Sequence, residues 1–435
     1  MKTSRDLQGD QASRALAARA AAVIPGGANS NFRLAGPRRF WVSSDGARIV
    51  DVDGNECVDF VLGMGAAILG YSPRELLERV AEAQQDLQCP AGQQLAEIEL
   101  AEKITELVPS AELVRIGCTG SEMVQLGLRL ARAATGRSVV AKFAGHYHGW
   151  LDNIFAGTVA LPGRGQFDAV TQTAGQSSKA LEDLVILPWN NIEMLREFLT
   201  ERGPEVAALI MEPVLCNTGV IAPADGYLEA VRSLCDEHGI VLIFDEVITG
   251  FRLAPGGAQA RLGIVPDLTV LGKALGAGFP VAALAGRADL MKLIGDGIVM
   301  HGGTYNANAM CLAAAQAALE TLSDPERAVH VRLEDTTELL LRGLEQVSDE
   351  HGGKLSVQGV TGVVNTTFAP PTPVTDYLTY HASDLDKQSK FIQLMDEENV
   401  RITSRGTWFI SAAHTETDVD TALAAAKIVL CRMGQ

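Results

Sequence analysis

Residues 268–280 read LTVLGKALGAGFP, an apolar run that leads into a lysine among glycines and alanines. The run predicts a short buried strand, and Lys273 follows its end. A second apolar run at 240–244, IVLIF, ends in Asp245 and Glu246. Because ligands of parallel α/β sheets bind at the carboxyl ends of strands, we expect a site where these two strands end.

An amine and an acid at neighbouring strand ends suit a pyridoxal-phosphate site. The amine forms a Schiff base, and the carboxylate keeps the pyridine nitrogen protonated so that the ring can take up electrons. Each feature also has an ordinary interpretation, because a lysine after a strand is usually solvated and an Asp-Glu pair often caps the next helix. The order of the two motifs, and the glycines around Lys273, favour the cofactor site.

The composition argues against nucleic acid or an anionic membrane as a partner. The 435 residues carry a formal net charge of -17, which repels phosphate backbones and anionic lipid. Seven cysteines without a Cys-x-x-Cys pair fit a reducing cytoplasm better than a disulfide framework or a zinc ribbon. No apolar run reaches the roughly 20 residues that a bilayer crossing needs. We therefore expect a cytoplasmic protein.

The N-terminal residues through Ala22 are rich in alanine and arginine, as transit peptides are. They are poor in serine and contain Asp6 and Asp10. We instead predict an exposed first helix that ends at the Pro25-Gly26-Gly27 break.

Helical and strand patterns alternate from about residue 72 to about residue 320, which predicts an α/β fold with a mostly parallel, doubly wound sheet. The pattern then changes to a long helix, short strands and a final alanine-rich helix. We expect an N-terminal segment, 1–65, that packs with a small C-terminal domain, 321–435, and a large cofactor-binding domain at 66–320. The predicted strands are 113–116, 138–143, 207–211, 240–244 and 268–271, and the main predicted helices are 95–108, 121–134, 226–238, 326–349, 384–398 and 418–433.

Two further loops follow predicted strands. Residues 118–122, CTGSE, open a helix, so Gly120 and Ser121 could bind an anion with backbone N–H groups and a hydroxyl. Ser121 could equally be a simple N-cap. Residues 145–150, GHYHGW, contain two histidines but no third metal ligand nearby, so we expect no metal site there. The loop also has an aromatic ring that could stack on a flat cofactor.

Eight short motifs occur in the order expected of one family and span nearly the whole chain. They are PGGANS at 25–30, TGSE at 119–122, HYHG at 146–149, EPV at 212–214, DEVITGFR at 245–252, GKALG at 272–276, GTY at 303–305 and SAAH at 411–414. They resemble the motifs of the class III, fold type I pyridoxal-phosphate aminotransferases, above all the glutamate-1-semialdehyde 2,1-aminomutase branch. The resemblance implies a large domain with a mostly parallel doubly wound sheet and a smaller α+β domain from both termini.

The resemblance also implies roles for single residues. It makes Lys273 the Schiff-base residue, Asp245 the partner of the pyridine nitrogen and Tyr147 the residue stacked on the ring. The other implied cofactor contacts are Gly120 and Ser121 at the phosphate, Val247 beneath the ring, Asn217 near the ring hydroxyl and Glu212 in support. Thr304 would reach the phosphate of a neighbouring subunit, which implies a homodimer with shared active sites.

The chain departs from the aminomutase near its C-terminus. Where that branch has Phe-Glu, with a glutamate that helps to gate the site, this chain has Arg405 and Gly406. The pair is similar to the Arg-Gly of β-amino-acid aminotransferases, in which the arginine binds a substrate carboxylate. A guanidinium fork suits that partner, although a surface arginine paired with an acid is the plain alternative. Arg33 is a second candidate for the substrate side.

From these residues we predict an aminotransferase that uses an amino acid, with β- and D-amino acids among the candidates, and a 2-oxo acid acceptor. Isomerisation by an aminomutase is the first alternative, and a catalytically silent binding protein is the second. Burial beside a cationic ring should lower the pKa of Lys273 and so leave its amine free to attack a carbonyl.

Overall fold

Fourteen strands and fourteen helices are present in the described part of the chain. The computed structural model describes residues 11–34, 36, 38–158, 169–368 and 373–434. The strands are β1 Trp41–Asp45, β2 Arg48–Asp51, β3 Glu56–Asp59, β4 Leu113–Gly117, β5 Val139–Phe143, β6 Leu184–Leu187, β7 Val206–Met211, β8 Val241–Glu246, β9 Leu268–Leu271, β10 Ala282–Gly286, β11 Ser356–Val360, β12 Val363–Thr367, β13 Val400–Arg401 and β14 Thr407–Phe409. The helices are α1 Gln11–Val23, α2 Leu62–Gly65, α3 Arg74–Asp86, α4 Leu95–Leu107, α5 Gly120–Thr135, α6 Ile192–Arg202, α7 Tyr227–His238, α8 Gly257–Leu262, α9 Ala288–Gly295, α10 Ala309–Ser323, α11 Val329–Glu350, α12 Tyr377–His381, α13 Leu385–Glu397 and α14 Glu416–Gly434.

A seven-stranded sheet forms the centre of the fold, in the order β4-β10-β9-β8-β7-β5-β6. Strands β5 to β9 run parallel, whereas β10 runs antiparallel to both of its neighbours, β4 and β9. The prediction of a mostly parallel, doubly wound α/β sheet is therefore confirmed.

Alternate residues of β8 face opposite layers of helices. Ile243 packs in a cluster that contains residues of α5 and α9. Leu242 and Phe244 pack in a second cluster, with residues of α6 and α7. Side chains of a strand point to opposite faces in turn, so an uninterrupted apolar run is what a strand buried on both faces requires.

The register of β8 and β9 brings the predicted site residues to one edge of the sheet. Asp245 is paired with Val270, and Glu246 is paired with Leu271. Lys273 follows Leu271 by two residues in the same direction, because the two strands are parallel. The acid and the amine therefore leave the sheet at the same carboxyl edge.

Two smaller sheets lie beside the large one in the chain's topology. One has the order β1-β2-β3-β13, in which Val400 pairs with Val58 and Arg401 with Asp59, so the N-terminal and C-terminal segments share a sheet. The other has the order β11-β12-β14. A smaller α+β unit from both termini was expected. Its boundaries at 65/66 and 320/321 stay a prediction, and its first ten residues, including Asp6 and Asp10, lie outside the described residues.

Strands β6 and β10 of the large sheet are not among the predicted strands. The residues of β10, AALAG, are poor in the β-branched and aromatic side chains that favour strands. All five are buried between β4 and β9, so packing rather than propensity determines the strand. None of the helices in the described ranges has the length and apolar character that a membrane crossing needs.

Arg252 joins distant parts of the chain from a fully buried position. Its guanidinium donates to the carbonyl oxygens of Ile410 at 2.9 Å and Gly362 at 3.2 Å, and also to that of Gly65. It lies 5.3 Å from the ring centroid of Phe409. A buried cation that binds three carbonyl groups is costly to remove, because the carbonyls of Gly65 and Ile410 would lose a buried donor, whereas that of Gly362 would keep the N–H of Ile410 at 3.0 Å.

Replacing Arg252 with methionine should therefore lower the free energy of unfolding by about 3–5 kcal/mol. The matched control is Arg261→Met, since Arg261 forms an exposed ion pair with Glu334. Such a pair contributes about 1 kcal/mol or less. Guanidinium unfolding of both cofactor-free variants, followed by fluorescence, measures the difference. Similar midpoints for the two variants would contradict this role of Arg252.

Candidate active site

Lys273 begins a short 3-10 turn at the end of β9 with strained backbone geometry. Its φ is +44°, in the left-handed region that a residue with a side chain seldom adopts. Such strain is found where the surrounding structure imposes it, often at functional sites. Burial lowers the pKa of the Lys273 amine to about 8, against the opposing attraction of Asp245 and Glu212. A sizeable share of the amine is therefore neutral near pH 8 and able to act as a nucleophile.

Asp245 is buried and oriented by two hydrogen bonds. Its Oδ2 is 2.7 Å from Nδ1 of His148, and its Oδ1 accepts from the N–H of Val247 at 3.1 Å. Burial raises the pKa of Asp245 to about 6, opposed by the Val247 N–H and by the cations Lys273 and Lys142. Burial lowers the pKa of His148 well below its usual value, so a neutral imidazole donates from Nδ1 to the carboxylate. A cation facing Asp245 would favour its ionised form.

Glu246, the next residue, has a structural role. Its carboxylate accepts from the N–H groups of Ala258 at 2.5 Å and Gln259 at 3.2 Å, at the start of α8. The helix-capping interpretation of the Asp-Glu pair is thus correct for Glu246, while Asp245 faces the Lys273 amine.

Glu212 links the loop after β5 to the loop after β7. One carboxylate oxygen accepts from the N–H of Tyr147 at 2.9 Å, and the other accepts from Cys216 at 3.0 Å and Asn217 at 3.1 Å. The backbone N–H of Glu212 donates in return to Nδ1 of His146 at 2.9 Å. Burial raises the pKa of Glu212 to about 7, helped by repulsion from Asp245.

The two histidines of the HYHG motif therefore contact different partners, the backbone of Glu212 and the carboxylate of Asp245. Among the described residues, no three His, Cys, Asp or Glu side chains are grouped as a metal ion would require. The role of His148 beside Asp245 was not predicted, although its place after a strand, next to an aromatic residue, was noted.

The turn before α5 packs closely against two neighbouring segments, at Val247 and Gly149. Thr119, and not Ser121, is the N-cap: its hydroxyl accepts from the N–H of Glu122 at 3.3 Å. The Ser121 hydroxyl has no hydrogen-bond partner among the described residues and lies against Gly149, where an added Cβ would be 2.5 Å from Oγ. A Cβ on Gly120 would lie 2.9 Å from the side chain of Val247. First-turn N–H groups have no intrahelical partner, so the turn can bind an anion.

These groups together fit pyridoxal phosphate. The free hydroxyl and N–H groups at Gly120 and Ser121 suit its phosphate, the Lys273 amine suits its aldehyde, and Asp245 suits its ring nitrogen. Val247 lies between the turn before α5 and the end of β9, since its side chain packs against both Gly120 and Gly272. The Nε2 atom of His148 is buried without a partner among the described residues.

Arg405 lies in a cluster with Asn217, Phe32 and Tyr147. Its Nη1 donates to the backbone oxygen of Asn217 at 3.0 Å and to its Oδ1 at 3.2 Å. The guanidinium is 5.4 Å from the centroid of Phe32, whose ring meets that of Tyr147 edge-on at 5.7 Å. Within the described residues, Arg405 forms no ion pair, and its Nε and Nη2 have no hydrogen-bond partner. The plain alternative, an arginine paired with an acid, is therefore not observed among those residues.

Gly406 has a conformation that excludes a side chain. Its φ is +73°, and an added Cβ would lie 2.3 Å from the carbonyl oxygen of Thr366 and 2.5 Å from Nε2 of Gln388. A glutamate at this position would need a different backbone. The change from Phe-Glu to Arg-Gly is thus a change of turn geometry as well as of chemistry.

Two predicted site residues form no side-chain hydrogen bond or ion pair with this cluster among the described residues. Arg33 is exposed, and its side chain has no hydrogen-bond or ion-pair partner among the described residues. Thr304 is also exposed, and its carbonyl accepts from the thiol of Cys89. Its reach toward a neighbouring subunit stays a prediction.

The two tryptophans near the predicted motifs differ in exposure. Trp408 is fully buried in the core, where its Nε1 donates to Thr366, whereas Trp150 is 70% exposed.

Comparison with known proteins gives a family and several close folds. A family model described as aminotransferase class-III matches residues 35–418. A glutamate-1-semialdehyde 2,1-aminomutase from Desulfatibacillum aliphaticivorans is 38% identical over 432 residues, which cover 96% of this chain and 99% of that protein. The crystal structure of an omega-transaminase from Sphaerobacter thermophilus has a TM-score of 0.92 and 32% identity, with 97% of each chain covered. A β-phenylalanine aminotransferase from Variovorax paradoxus has a TM-score of 0.89 and 30% identity, over 99% of this chain and 96% of that one.

The pKa of Lys273 gives a testable pH dependence. Only the neutral amine attacks the aldehyde of pyridoxal phosphate, and its share falls about tenfold per pH unit below the pKa. The rate at which the cofactor-free protein forms the visible absorption band should therefore rise up to about pH 8 and then level off. Stopped-flow absorbance measures it, and a free lysine derivative in the same buffers corrects for ionisation of the cofactor. A rate that keeps rising to pH 10, as for the free lysine, would contradict the lowered pKa.

Borohydride reduction of the loaded protein should fix the cofactor to one lysine. Peptide mapping should find it on Lys273 in the wild type and nowhere in Lys273→Ala. The exposed Lys427, which pairs with Glu350 on the surface, provides the control, so Lys427→Ala should be labelled like the wild type. Label on a different lysine in the wild type would refute the assignment.

Proposed function

This chain belongs to the class-III aminotransferase family of pyridoxal-phosphate enzymes, and we propose that it transfers an amino group between an amino acid and a 2-oxo acid. The first product leaves before the second substrate binds. The proposal is carried by one observation, the Arg405–Gly406 turn beside Asn217 and Tyr147.

The chain's own groups divide the chemical work. When bound, pyridoxal phosphate supplies an aldehyde that carries the amino group and a ring that takes up electrons. Lys273 would hold the cofactor through its Nζ, and the same amine would move the proton at the reacting carbon of the substrate. Asp245, oriented by Nδ1 of His148 at 2.7 Å, holds the proton of the ring nitrogen. Tyr147, whose backbone N–H is held by Glu212, would hold the ring by stacking.

Arg405 is the proposed site for the substrate carboxylate. Its guanidinium has free N–H donors in the described structure. It lies over the ring of Phe32, and that ring contacts the ring of Tyr147. A guanidinium binds a carboxylate through two parallel hydrogen bonds, which gives orientation as well as affinity. A β-amino acid fits this proposal, and the similar fold of a β-phenylalanine aminotransferase supports it. Arg33, exposed one residue after Phe32, is the second candidate for an acidic group on the substrate.

Isomerisation is the second candidate function, and the 38% identity to an aminomutase favours it. Overall identity reflects the whole scaffold, whereas retention of a substrate depends on the few residues that close the site. An aminomutase must keep its substrate skeleton bound until both amino positions have been exchanged. Gly406 leaves no room for a gating glutamate in the present backbone, which supports release and therefore transamination.

A homodimer with shared active sites is also part of the proposal. Thr304 is exposed rather than turned toward the Lys273 cluster, as a residue that serves a neighbouring site would be. Large apolar or aromatic side chains that are exposed in the single chain include Tyr305 at 67% and Trp150 at 70%. Contact with a second subunit would remove these side chains from water.

Incubation with glutamate-1-semialdehyde alone separates the two functions. We expect slow or no formation of 5-aminolevulinate, because the open Arg-Gly turn should allow the partly converted substrate to escape. The reaction is followed by chromatography, with an authentic aminomutase as the positive control. Efficient conversion without any amino acceptor would establish the isomerase instead.

Arg405→Ala should impair acids far more than amines. Loss of a bidentate contact to the carboxylate should cost about 2–4 kcal/mol in kcat/KM, roughly 30- to 1,000-fold. Matched amines without the carboxylate should change little. The assay uses a panel of α- and β-amino acids, their amine analogues and both enantiomers, with pyruvate or 2-oxoglutarate as the acceptor. Arg33→Ala is assayed in parallel, and Arg74→Ala, at an exposed surface pair, is the control. Equal losses for acids and amines would make Arg405 structural.

A further inference from the structure

Lys142 is a fully buried lysine outside the predicted site residues. It lies on β5, in which all five residues are buried. Its Nζ donates to the carbonyl oxygens of Ala156 at 2.6 Å, His146 at 2.8 Å and Ile154 at 3.4 Å. Three acceptors match the three N–H donors of an ammonium group, so the side chain is saturated where it lies.

All three acceptors belong to residues 145–157, which we call the Tyr147 loop. The ends of this loop meet, because the N–H of Gly145 donates to the carbonyl of Gly157 at 2.5 Å. His146 lies on one arm of the loop, and Ile154 and Ala156 lie on the other. The ammonium group of Lys142 therefore joins the two arms from beneath the loop.

The same contact holds one side of a particular peptide bond. The carbonyl of His146 accepts from Lys142, while the N–H of Tyr147, on the other side of that bond, donates to the carboxylate of Glu212 at 2.9 Å. The peptide group is thus held between the Nζ of Lys142 and the carboxyl group of Glu212. Hydrogen bonds to charged groups are roughly twice as strong as neutral ones, and rotation of this peptide would break both.

We propose that Lys142 and Glu212 form a clamp on the His146–Tyr147 peptide bond that positions Tyr147 against the cofactor ring. The clamp also holds His148, the next residue, at its 2.7 Å contact with Asp245. Lys142 is a positioning residue, because its Nζ is occupied by carbonyl groups and acts only through the loop. The inference rests on the proposed function in one respect, the assignment of Tyr147 to the ring.

The test compares Lys142→Met with Arg137→Met. Arg137 also donates from its guanidinium to backbone carbonyls, those of His238 at 2.9 Å and Val206 at 3.1 Å, but it lies just before β5, at the opposite end of that strand from the Tyr147 loop. It therefore controls for general loss of a cation that binds carbonyl groups. Hydrogen–deuterium exchange of the cofactor-free proteins is measured by mass spectrometry, and visible circular dichroism is measured after loading with pyridoxal phosphate.

In Lys142→Met we expect peptides within 145–157 to exchange about tenfold faster than in the wild type, from the loss of charge-assisted hydrogen bonds. The bound cofactor should keep its absorption band and lose most of its visible circular dichroism, because its ring is no longer held in one orientation. This loss of a fixed ring orientation should lower kcat about ten- to hundredfold with little change in KM. Arg137→Met should exchange faster elsewhere and keep both signals of the site.

Equal exchange of the Tyr147 loop in the two methionine variants, or a full dichroism signal in Lys142→Met, would overturn the clamp. If Lys142→Met does not fold, Glu212→Gln makes the same measurement, since it removes the charge on the other side of the peptide bond. Neither exchange nor dichroism depends on the substrate. The clamp can therefore fail while transamination stands, and an isomerase activity would leave the clamp intact.

Discussion

Four ionisable side chains share the carboxyl edge of the central sheet, where little water reaches them. Lys142 and Lys273 are the amines, and Glu212 and Asp245 are the acids. Burial lowers the pKa of the two amines and raises the pKa of the two acids, which favours the neutral form of each. Lysines near Asp245 and acids near the two lysines oppose this shift. The opposite charges and the hydrogen bonds of each group together stabilise it, so loss of one group leaves a less compensated charge in a poorly solvated place. The positions of these four side chains and their protonation states therefore depend on one another.

The solution uses backbone from separate segments. Glu212 receives N–H groups from the loop after β5 and from the loop after β7, so one carboxylate sets the distance between the two. Asn217, on the second loop, is bound in turn by Arg405, which comes from near the C-terminus. Arg252 completes the connection by holding the carbonyls of Gly65 and Ile410. Residues remote in sequence thereby determine how Arg405 and Asn217 are placed relative to the sheet.

Much of this arrangement was predictable, and the reasons for the rest are physical. The apolar runs of β8 and β9 and the charges that end them indicated both the sheet and the edge at which a site should lie. Strand β10 was missed because alanine and glycine carry no strand preference. These residues form a strand only because they are buried between β4 and β9. Lys142 was missed because one lysine in a five-residue strand looks like an outward-facing residue, until the fold covers both faces. The capping by Thr119 instead of Ser121 depends on where α5 begins, which a sequence defines only to within a residue or two. The roles of the individual site residues remain predictions.

The backbone at Gly406 has a consequence for how such enzymes diverge. A positive φ and the nearby oxygen of Thr366 mean that a glutamate cannot simply be added at this position. The turn, Thr366 and Gln388 would have to change together with it, and each change alone would be unfavourable. Exchange between glycine and a residue with a side chain at this position is therefore strongly epistatic, because few single-step mutational routes connect the two turn geometries. Chains on either side would then keep their turn geometry over long periods even while the rest of their sequence drifts.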